Sequence, residues 1–429
     1  MNDKPKYDKY YNYYLGKQQI LNKHYADESK PCNKIVVNFC NQIVQQYLGF
    51  NIGIPVTYVA QDEILDVLKY NDVTDKDNLL LRNALIFGKN FELEYVDEDG
   101  KDRFDVVDTR YAIDIYSNEL AQDELKYFAR MYCVDNTEGN INSDNWRVEL
   151  YDKDNIYLYS CNYTFSNINL IDTRKHYYNQ VPVVVFGLNE EEQSIFAQIM
   201  SLQDGYNTLI SSEVDDWESF VDCYLILKNV QAVEEDIKKM KTNRVLLIDS
   251  DSEASYLTKD VNSTQIENML ENIKNLIFKM SNAPDFSDPN FMGNSGKALQ
   301  YKLTGFTNIS KAIMDRMERA LRKRIELIES IGKAKTGTDE FADVEIKFTQ
   351  NIPADELEVA QVINTLRGLV STKTLISLLP FINDADKEMK ELEKENEAKA
   401  ELYSFTGQEL QEEDGVNEDS TGEENKGEK

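Results

Sequence analysis

Residues 263–331 read STQIENMLENIKNLIFKMS, then NAPDFSDPNFMGNS, then GKALQYKLTGFTNISKAIMDRMERALRKRIELIESI. In the first piece Ile266, Met269, Leu270, Ile273, Leu276, Ile277 and Met280 recur at spacings of three and four. That periodicity predicts an amphipathic helix over 263–281 with one apolar seam and a far side of Glu, Asn and Lys. The middle piece contains Pro284, Pro289 and Gly293, so the helix cannot run through it. Helical patterning resumes at Gly296 and persists to about Ile331, roughly 50 Å at ~1.5 Å per residue. Gly305 lies inside this long stretch and is the expected kink.

On the N-terminal side the pattern changes. Residues 190–210 place Ile195, Ile199, Leu202, Tyr206 and Leu209 on one helical face. Ser212 reads as the N-cap of a second helix, with Glu213, Asp215 and Asp216 in its first turn. The run Tyr224–Leu227 fits either the end of that helix or a strand. Between 229 and 262 lies a compact insertion: a short basic helix with Lys238, Lys239 and Lys241, a strand Arg244–Ile248 and an acidic turn.

Further upstream, NFELEYV (90–96) alternates apolar and charged residues, DEDG (97–100) is turn chemistry, and Arg103–Val107 returns. That is a β-hairpin. Short Tyr-, Val- and Ile-rich segments continue through 110–187 as further strands. Ahead of the hairpin, helices are expected over 29–46, opened by Pro31, and over 64–70 and 77–86, with a strand at 54–59. Residues 1–27 are a polar, aromatic arm. Downstream, a linker leads to strand Val344–Thr349, and Pro353 opens a helical region to about 402.

The whole chain has 429 residues, 41% of them hydrophobic, so a sizeable core can form. Its 47 basic and 77 acidic residues give a net charge of −30. Affinity for nucleic acid comes from neutralising phosphates, so an acidic surface excludes tight static wrapping of DNA. It permits passage, because like charge leaves a phosphate backbone few places to adhere. The stretch 404–429 has a net charge of −7 and is expected to be disordered. No run of about 18 apolar residues suggests a membrane span.

Chemistry-bearing constellations are sparse. Five scattered cysteines form neither a CxxC pair nor a disulfide framework, and thiols in a reducing compartment are expected. His24 and His176 lie far apart and read as surface residues rather than as ligands. Asp97/Asp99 belongs to a turn. Asp285/Asp288 lies in the breaker loop without a full oxygen-ligand pattern, so no metal is expected. Gly293-Asn294-Ser295-Gly296-Lys297 lacks the Walker A spacing and follows no strand. No nucleophile–base set emerges, and neither an enzyme nor a cofactor is expected.

The charge map is more telling. Between Gly293 and Lys335 ten basic residues face four acidic ones, a net of +6 within an acidic chain. Arg316, Arg319, Arg322, Lys323 and Arg324 are the centre of this stretch. In that setting they suit docking against the acidic surface of a neighbouring copy better than phosphate contact. Lys297 and Lys302 lie closer to the loop and could meet DNA.

Three groups of residues together resemble the portal proteins of tailed bacteriophages, the siphophage-type family of Gram-positive hosts. The first is Lys30-Pro31-Cys32-Asn33-Lys34 with Val36–Phe39 and then Gly49 to Tyr58. The second is Ala84–Lys89 leading into the hairpin Tyr95–Gly100. The third is Pro284-Asp285-Phe286 with Asn290-Phe291, Gly293–Ser295, Ala298-Leu299 and Tyr301–Leu303. Such proteins often have Asp-Pro-Arg after the hairpin, where this chain has Asp108-Thr109-Arg110.

The resemblance implies an α+β portal fold that assembles as a ring, usually of twelve subunits, around a central channel. Its parts would be an arm (1–27), a β-rich wing (28–211), stem helices (212–228 and 263–281), a small α/β clip (229–262), a tunnel loop (282–298), a long kinked helix (299–334), a wing return strand (335–352), a helical crown (353–403) and the tail. The implied function is a channel at the capsid vertex for packaging and ejecting double-stranded DNA. The implied partners are the large terminase ATPase, the head–tail adaptor, and the major capsid and scaffolding proteins. The protein would be made in the host cytoplasm and kept in the virion. Asp285, Phe286, Asp288, Asn290, Phe291, Met292, Asn294, Lys297 and Lys302 would then face DNA. Lys238, Lys239, Lys241 and Arg244 would meet the motor or adaptor. The alternatives are another ring-forming head–tail adaptor or, more distantly, an acidic-site DNA-processing enzyme.

Overall fold

Tyrosines at a spacing of three shape the start of the chain: α1 (Lys4–Tyr14) buries Tyr7, Tyr10 and Tyr13 on one side. Tyr7 and Tyr10 meet Phe87 and Phe196 edge-on, with ring centroids 5.9 and 6.0 Å apart. The arm is thus a helix packed into the core. The computed structural model describes residues 3–27, 30–117, 124–134, 145–162, 166–220, 224–228, 253–257, 263–287, 296–336, 344–350, 356–379, 382 and 385–412. Two units divide the chain, Met1–Asn351 and Ile352–Lys429.

In the first unit α2 (Phe39–Ile52) begins ten residues later than the apolar spacing predicts. Asn38 caps it by accepting the Asn41 N–H at 3.2 Å. Residues 31–38 are not helical, because another helix offers their backbone better partners, as described below. β1 (Thr57–Val59), α3 (Asp62–Tyr70) and α4 (Val73–Phe87) follow. Gly88 stops α4 at φ +91°, and a Cβ there would lie 2.3 Å from the Glu192 backbone carbonyl carbon, so only glycine fits.

β2 (Lys89–Val96) and β3 (Asp102–Val107) pair from Phe91↔Val107 to Val96↔Asp102, which is the alternating hairpin. The Asp97 carboxylate accepts the N–H groups of Asp99 and Lys101 and so closes the turn. Asp108-Thr109-Arg110 forms a 3₁₀ turn in which Asp108 accepts the Arg110 N–H and pairs with its guanidinium at 2.6 Å.

A five-stranded antiparallel meander follows: β4 (Ala112–Tyr116), β5 (Leu125–Cys133), β6 (Trp146–Tyr151), β7 (Asn155–Cys161) and β8 (Asn169–Lys175). β8 is exposed along its whole length, so no buried alternation betrays it in the sequence. β9 (Val183–Gly187) turns back to complete the sheet β3-β2-β9.

α5 (Met200–Phe220) is one continuous helix. Ser212, read from sequence as the cap of a second helix, lies in its interior. β10 (Tyr224–Lys228) pairs antiparallel with β11 (Glu253–Leu257), which resolves 224–227 as strand. The strand expected at 244–248 and the basic residues Lys238, Lys239, Lys241 and Arg244 fall outside the described residues. α6 (Ser263–Ser281) coincides with the predicted helix, and α7 spans Gly296–Thr336. β12 (Glu345–Lys347) then pairs with β1, Thr57 opposite Lys347, and returns the chain to its early part.

The second unit holds α8 (Glu356–Leu366), α9 (Thr372–Ile376) and α10 (Ala385–Glu412). Ser371 caps α9 by accepting the Thr374 N–H. α10 extends through residues 404–412, so the first part of the stretch expected to be disordered is helical. The Glu- and Lys-rich run upstream in the same helix, 387–401, has high helix propensity, and the helix continues from it.

Candidate functional site

α6 is apolar on more surface than its own chain covers. Ile277 and Phe278 are buried in the core, while Met269, Leu276 and Met280 are 47%, 44% and 47% exposed. Their offsets of seven and four residues place the exposed three on one face. Trp217 on the neighbouring helix α5 is 61% exposed.

The turn after α6 is tightly specified as far as Ser287. The Ser281 carbonyl accepts the Tyr47 hydroxyl at 2.9 Å, and Asn282 takes φ +52°. A Cβ on Gly305 would sit 2.9 Å from the Asn282 side-chain oxygen. The helix α7 is continuous through Gly305. What the structure shows at the expected kink is thus a close approach between helix and turn. Asp285 pairs with Lys274 at 2.8 Å and accepts from the Ser287 N–H and hydroxyl. Burial pushes the Asp285 carboxyl up, but these partners outweigh it and hold it below the usual range. Asp285 is therefore a neutralised pair, not the open negative charge that its loop setting suggests.

Phe286 is 51% exposed beside it. Lys302 is exposed on α7. Asp288, Asn290, Phe291, Met292 and Asn294 lie outside the described residues, as does the side chain of Lys297.

The basic stretch separates into different roles. Arg324 is fully buried. It makes a two-pronged pair with Glu92 at 2.6 and 2.7 Å, meets Asp77 at 2.7 Å and Tyr58 at 3.1 Å, and lies over the Phe104 ring. Desolvation opposes its charge, yet Glu92 and Asp77 outweigh that and raise its pKa. Expected at a subunit surface, Arg324 instead pins α7 to β2, α4 and β1 inside one chain. Arg316 reaches Glu190 at 3.2 Å, and Lys323 reaches Gln180 at 2.6 Å and Glu326 at 2.9 Å. Arg322 pairs with Glu318 one turn away, and Arg319 is exposed.

Among the described residues no group of His, Cys, Asp and Glu could hold a metal ion. His176, read as a surface residue, is buried. Its Nε2 meets the Asp152 carbonyl at 2.9 Å, and burial lowers its pKa.

The chain matches the family model "Phage portal protein, SPP1 Gp6-like" over residues 1–402. The chain belongs to the SPP1 Gp6-like portal protein family. It is similar to the portal protein of Bacillus phage SPP1, 23% identical over 408 residues, covering 88% of this chain and 79% of that one. It is also similar to the portal protein of Clostridium phage phiCD119, 24% identical over 413 residues, covering 88% and 89%. Among solved structures, a chain of the virion of a native gene transfer agent particle aligns over 79% of this chain and 87% of its own, with 13% identity and a TM-score of 0.45. The portal protein is a structural virion component with a role at the capsid vertex in DNA packaging, and it is not an enzyme.

One constellation in this portal protein escapes a search for apolar periodicity. The buried face of α5 is polar: Gln203, Asn207, Ser211 and Asp215, each four residues apart. Their side chains accept the backbone N–H groups of Phe39, Val37, Ile35 and Asn33 at 3.0, 3.0, 2.9 and 2.6 Å. Four helical residues rise ~6.0 Å and two extended residues ~6.6 Å, so the two periods nearly match and the strap 33–39 lies antiparallel along the helix. Asp215 ends the ladder and also receives Lys23 at 2.6 Å and Tyr25 at 3.3 Å. Burial raises the Asp215 pKa, but Lys23 and Asn33 more than reverse this. The signal in the sequence is a four-residue repeat of short polar side chains, a pattern ordinarily read as a solvated face.

Proposed function

We propose that the chain assembles as a closed ring, of twelve copies by resemblance to its family, around a channel for double-stranded DNA. The carrying observation is the exposed row Met269, Leu276 and Met280 on α6. Covering the half of each such side chain that is still exposed contributes about 1 kcal/mol, and a neighbour in a heterologous, closing interface can cover the same row on every copy.

In this reading α5 beyond Ser211 and α6 form the stem, β10 and β11 belong to the clip, and 282–298 is the tunnel loop nearest DNA. The two sheets with α1–α4 form the wing, to which β12 returns by pairing with β1. α8–α10 would form the crown. The kinked-helix role falls to α7, with its N-terminal end near the channel. Arg319, and Arg322 through the part of its side chain left exposed beside Glu318, are the residues of the 316–324 stretch placed to dock a neighbouring acidic surface. The net charge of −30 supports passage of DNA without adhesion. The large terminase ATPase would supply the energy, while the adaptor, the major capsid protein and the scaffolding protein would be further partners. Synthesis would occur in the host cytoplasm. Among the described residues no helix is long and apolar enough to cross a membrane.

Negative-stain imaging of purified protein tests the reading. Rings with a central hole are expected, and Leu276→Asp should abolish them while leaving the helical circular dichroism of the subunit in place. Wild-type protein that stays monomeric at high concentration, or rings unaffected by Leu276→Asp, would count against it.

A further inference from the structure

The link from β8 to β9 begins with a strained and partly buried stretch, 176–179. Its side chains alternate: His176 and Tyr178 are buried, Tyr177 and Asn179 exposed. Tyr177 and Asn179 both take left-handed backbone, at φ +63° and +57°. That conformation disfavours residues with a side chain, tyrosine more than asparagine, so it persists only where other contacts impose it.

Those contacts converge on the His176 ring. Its Nε2 meets the Asp152 carbonyl at 2.9 Å, and its Nδ1 meets the Tyr178 N–H at 3.3 Å. A carbonyl only accepts and an amide N–H only donates, so Nε2 carries the proton and Nδ1 is bare. The neutral ring in this one tautomer satisfies both partners. The His176 N–H donates to the Asp154 carbonyl at 3.2 Å, and the Ser330 hydroxyl of α7 donates to the Tyr178 carbonyl at 2.7 Å. The stretch is therefore tied to the β6–β7 turn on one side and to α7 on the other.

A second proton on the ring can sit only on Nδ1, where it opposes the Tyr178 N–H, donor against donor. The nearby charges do not compensate. Asp152 and Asp154 of the β6–β7 turn favour a charged ring, but burial outweighs them. The Asp152 carboxylate is already taken by the N–H groups of Asp154 and Asn155 at 2.7 and 2.6 Å and by the Tyr157 hydroxyl at 3.0 Å. Lys153 of that turn is exposed, as are Arg174 and Lys175, which precede the ring on β8. Glu94 of β2 and Asp102 of β3 act on Tyr178 beside it.

We propose that His176 is an acid-released latch: neutral, it fastens the β8–β9 link to the β6–β7 turn and α7, and protonated, it lets 176–179 open and relax its backbone, freeing that corner of the meander from α7. The opened imidazole titrates near its free value, about 6.5, and the closed one below it. The latch is thus fully effective above the free value and is lost as pH falls toward the closed one, its opening equilibrium rising by up to about tenfold per pH unit in between. The inference concerns the single subunit and is independent of ring assembly.

The test is amide hydrogen exchange of the full-length protein between about pH 7.5 and 5.5, rates being corrected for the intrinsic pH dependence of exchange. Protection of the Tyr178 amide should fall several-fold across that range while the β2–β3 hairpin keeps its own. His176→Gln offers one donor and one acceptor and cannot titrate, so its Tyr178 protection should not vary with pH. A reading that leaves the latch intact is also available: the chain has two histidines, so His24→Gln leaves the His176 ring signal alone in a nuclear magnetic resonance titration. It should titrate below about 6.5. Tyr178 protection that does not change with pH in wild type, the same fall in His176→Gln, or a His176 ring titrating at or above its free value would each overturn the proposal.

Discussion

Arg324 and Glu94 show how one face of β2 handles buried charge in two ways. Arg324 balances Glu92 and Asp77 at hydrogen-bond distance. Removing one partner from such a buried group typically costs about 3–5 kcal/mol. Arg324→Met should therefore lower subunit stability in urea by that order, whereas Arg322→Met, on the solvent side of the same helix, should change it by less than about 1 kcal/mol. Similar losses for both would refute the core role of Arg324. Glu94 has no such balance. Burial first, and then Glu92, raise its pKa well above the ordinary value, with Asp102 adding to the rise and Arg324 opposing it. The fold thus favours the protonated form. That contribution is complete below the unfolded carboxyl pKa and is lost as pH rises toward the folded value. Glu94→Gln should remove the slope, so the variant gains on wild type steadily from about pH 5 upward. Parallel stability–pH curves for the two proteins would contradict this. The sequence shows Glu92 and Glu94 as alternating charged positions of a hairpin, which ordinarily face water. Only α7 packing on β2 turns that face inward, and a pairing 232 residues apart leaves no local trace.

At the scale of elements, legibility followed the source of each segment's stability. The hairpin, α6 and most of the meander carry alternating or three-and-four-spaced apolar residues, and their limits can be read directly. The strap 31–38 looked helical because Ile35, Val36 and Phe39 keep helical spacing, yet tertiary partners on α5 took its backbone instead. The same contacts made α5 misleading, since its buried stripe is polar and its apolar face is partly exposed. Asn207 is the centre of that stripe. Its amide donates to Gln18 and its oxygen accepts from Val37 and Gln203. Asn207→Ala leaves buried groups unpaired at a cost of about 1–3 kcal/mol each. Hydrogen exchange at the Val37 amide should accelerate markedly while that of the β2–β3 hairpin stays unchanged. Uniform acceleration across the chain would mean that the stripe is not a local clamp.

For the whole molecule, composition was informative about what DNA cannot do on this surface, and far less so about which charges are available. Four of the five basic residues at 316–324 meet a side chain of their own chain, so a count of +6 overstates what a neighbour would feel. Of the residues assigned to the DNA-facing loop, Asp285 proved to be paired within the subunit, which a linear count of acidic residues cannot reveal. If Arg319 and Arg322 dock adjacent copies, reversing both to Glu should lower ring yield, and wild-type rings should loosen as salt rises and the Debye length falls from ~10 Å toward ~3 Å. Sedimentation across a salt series reads both effects. Rings indifferent to salt and to the double reversal would place the docking contacts elsewhere.

The four rungs between the strap and α5 also have a mechanical meaning. They lie side by side along a common axis, so a pull on the helix loads all of them in shear, and they must yield together. A peel from Asn33 would break them one by one. The alternation of extended backbone forbids a slip of one residue, because amides would then point away from the helix. The strap consequently has seats only at intervals of about one helical turn, ~6 Å, and shows no gradual creep. An N-terminal arm tied in this way follows the helix as a rigid part up to a threshold force and shifts by a whole step beyond it.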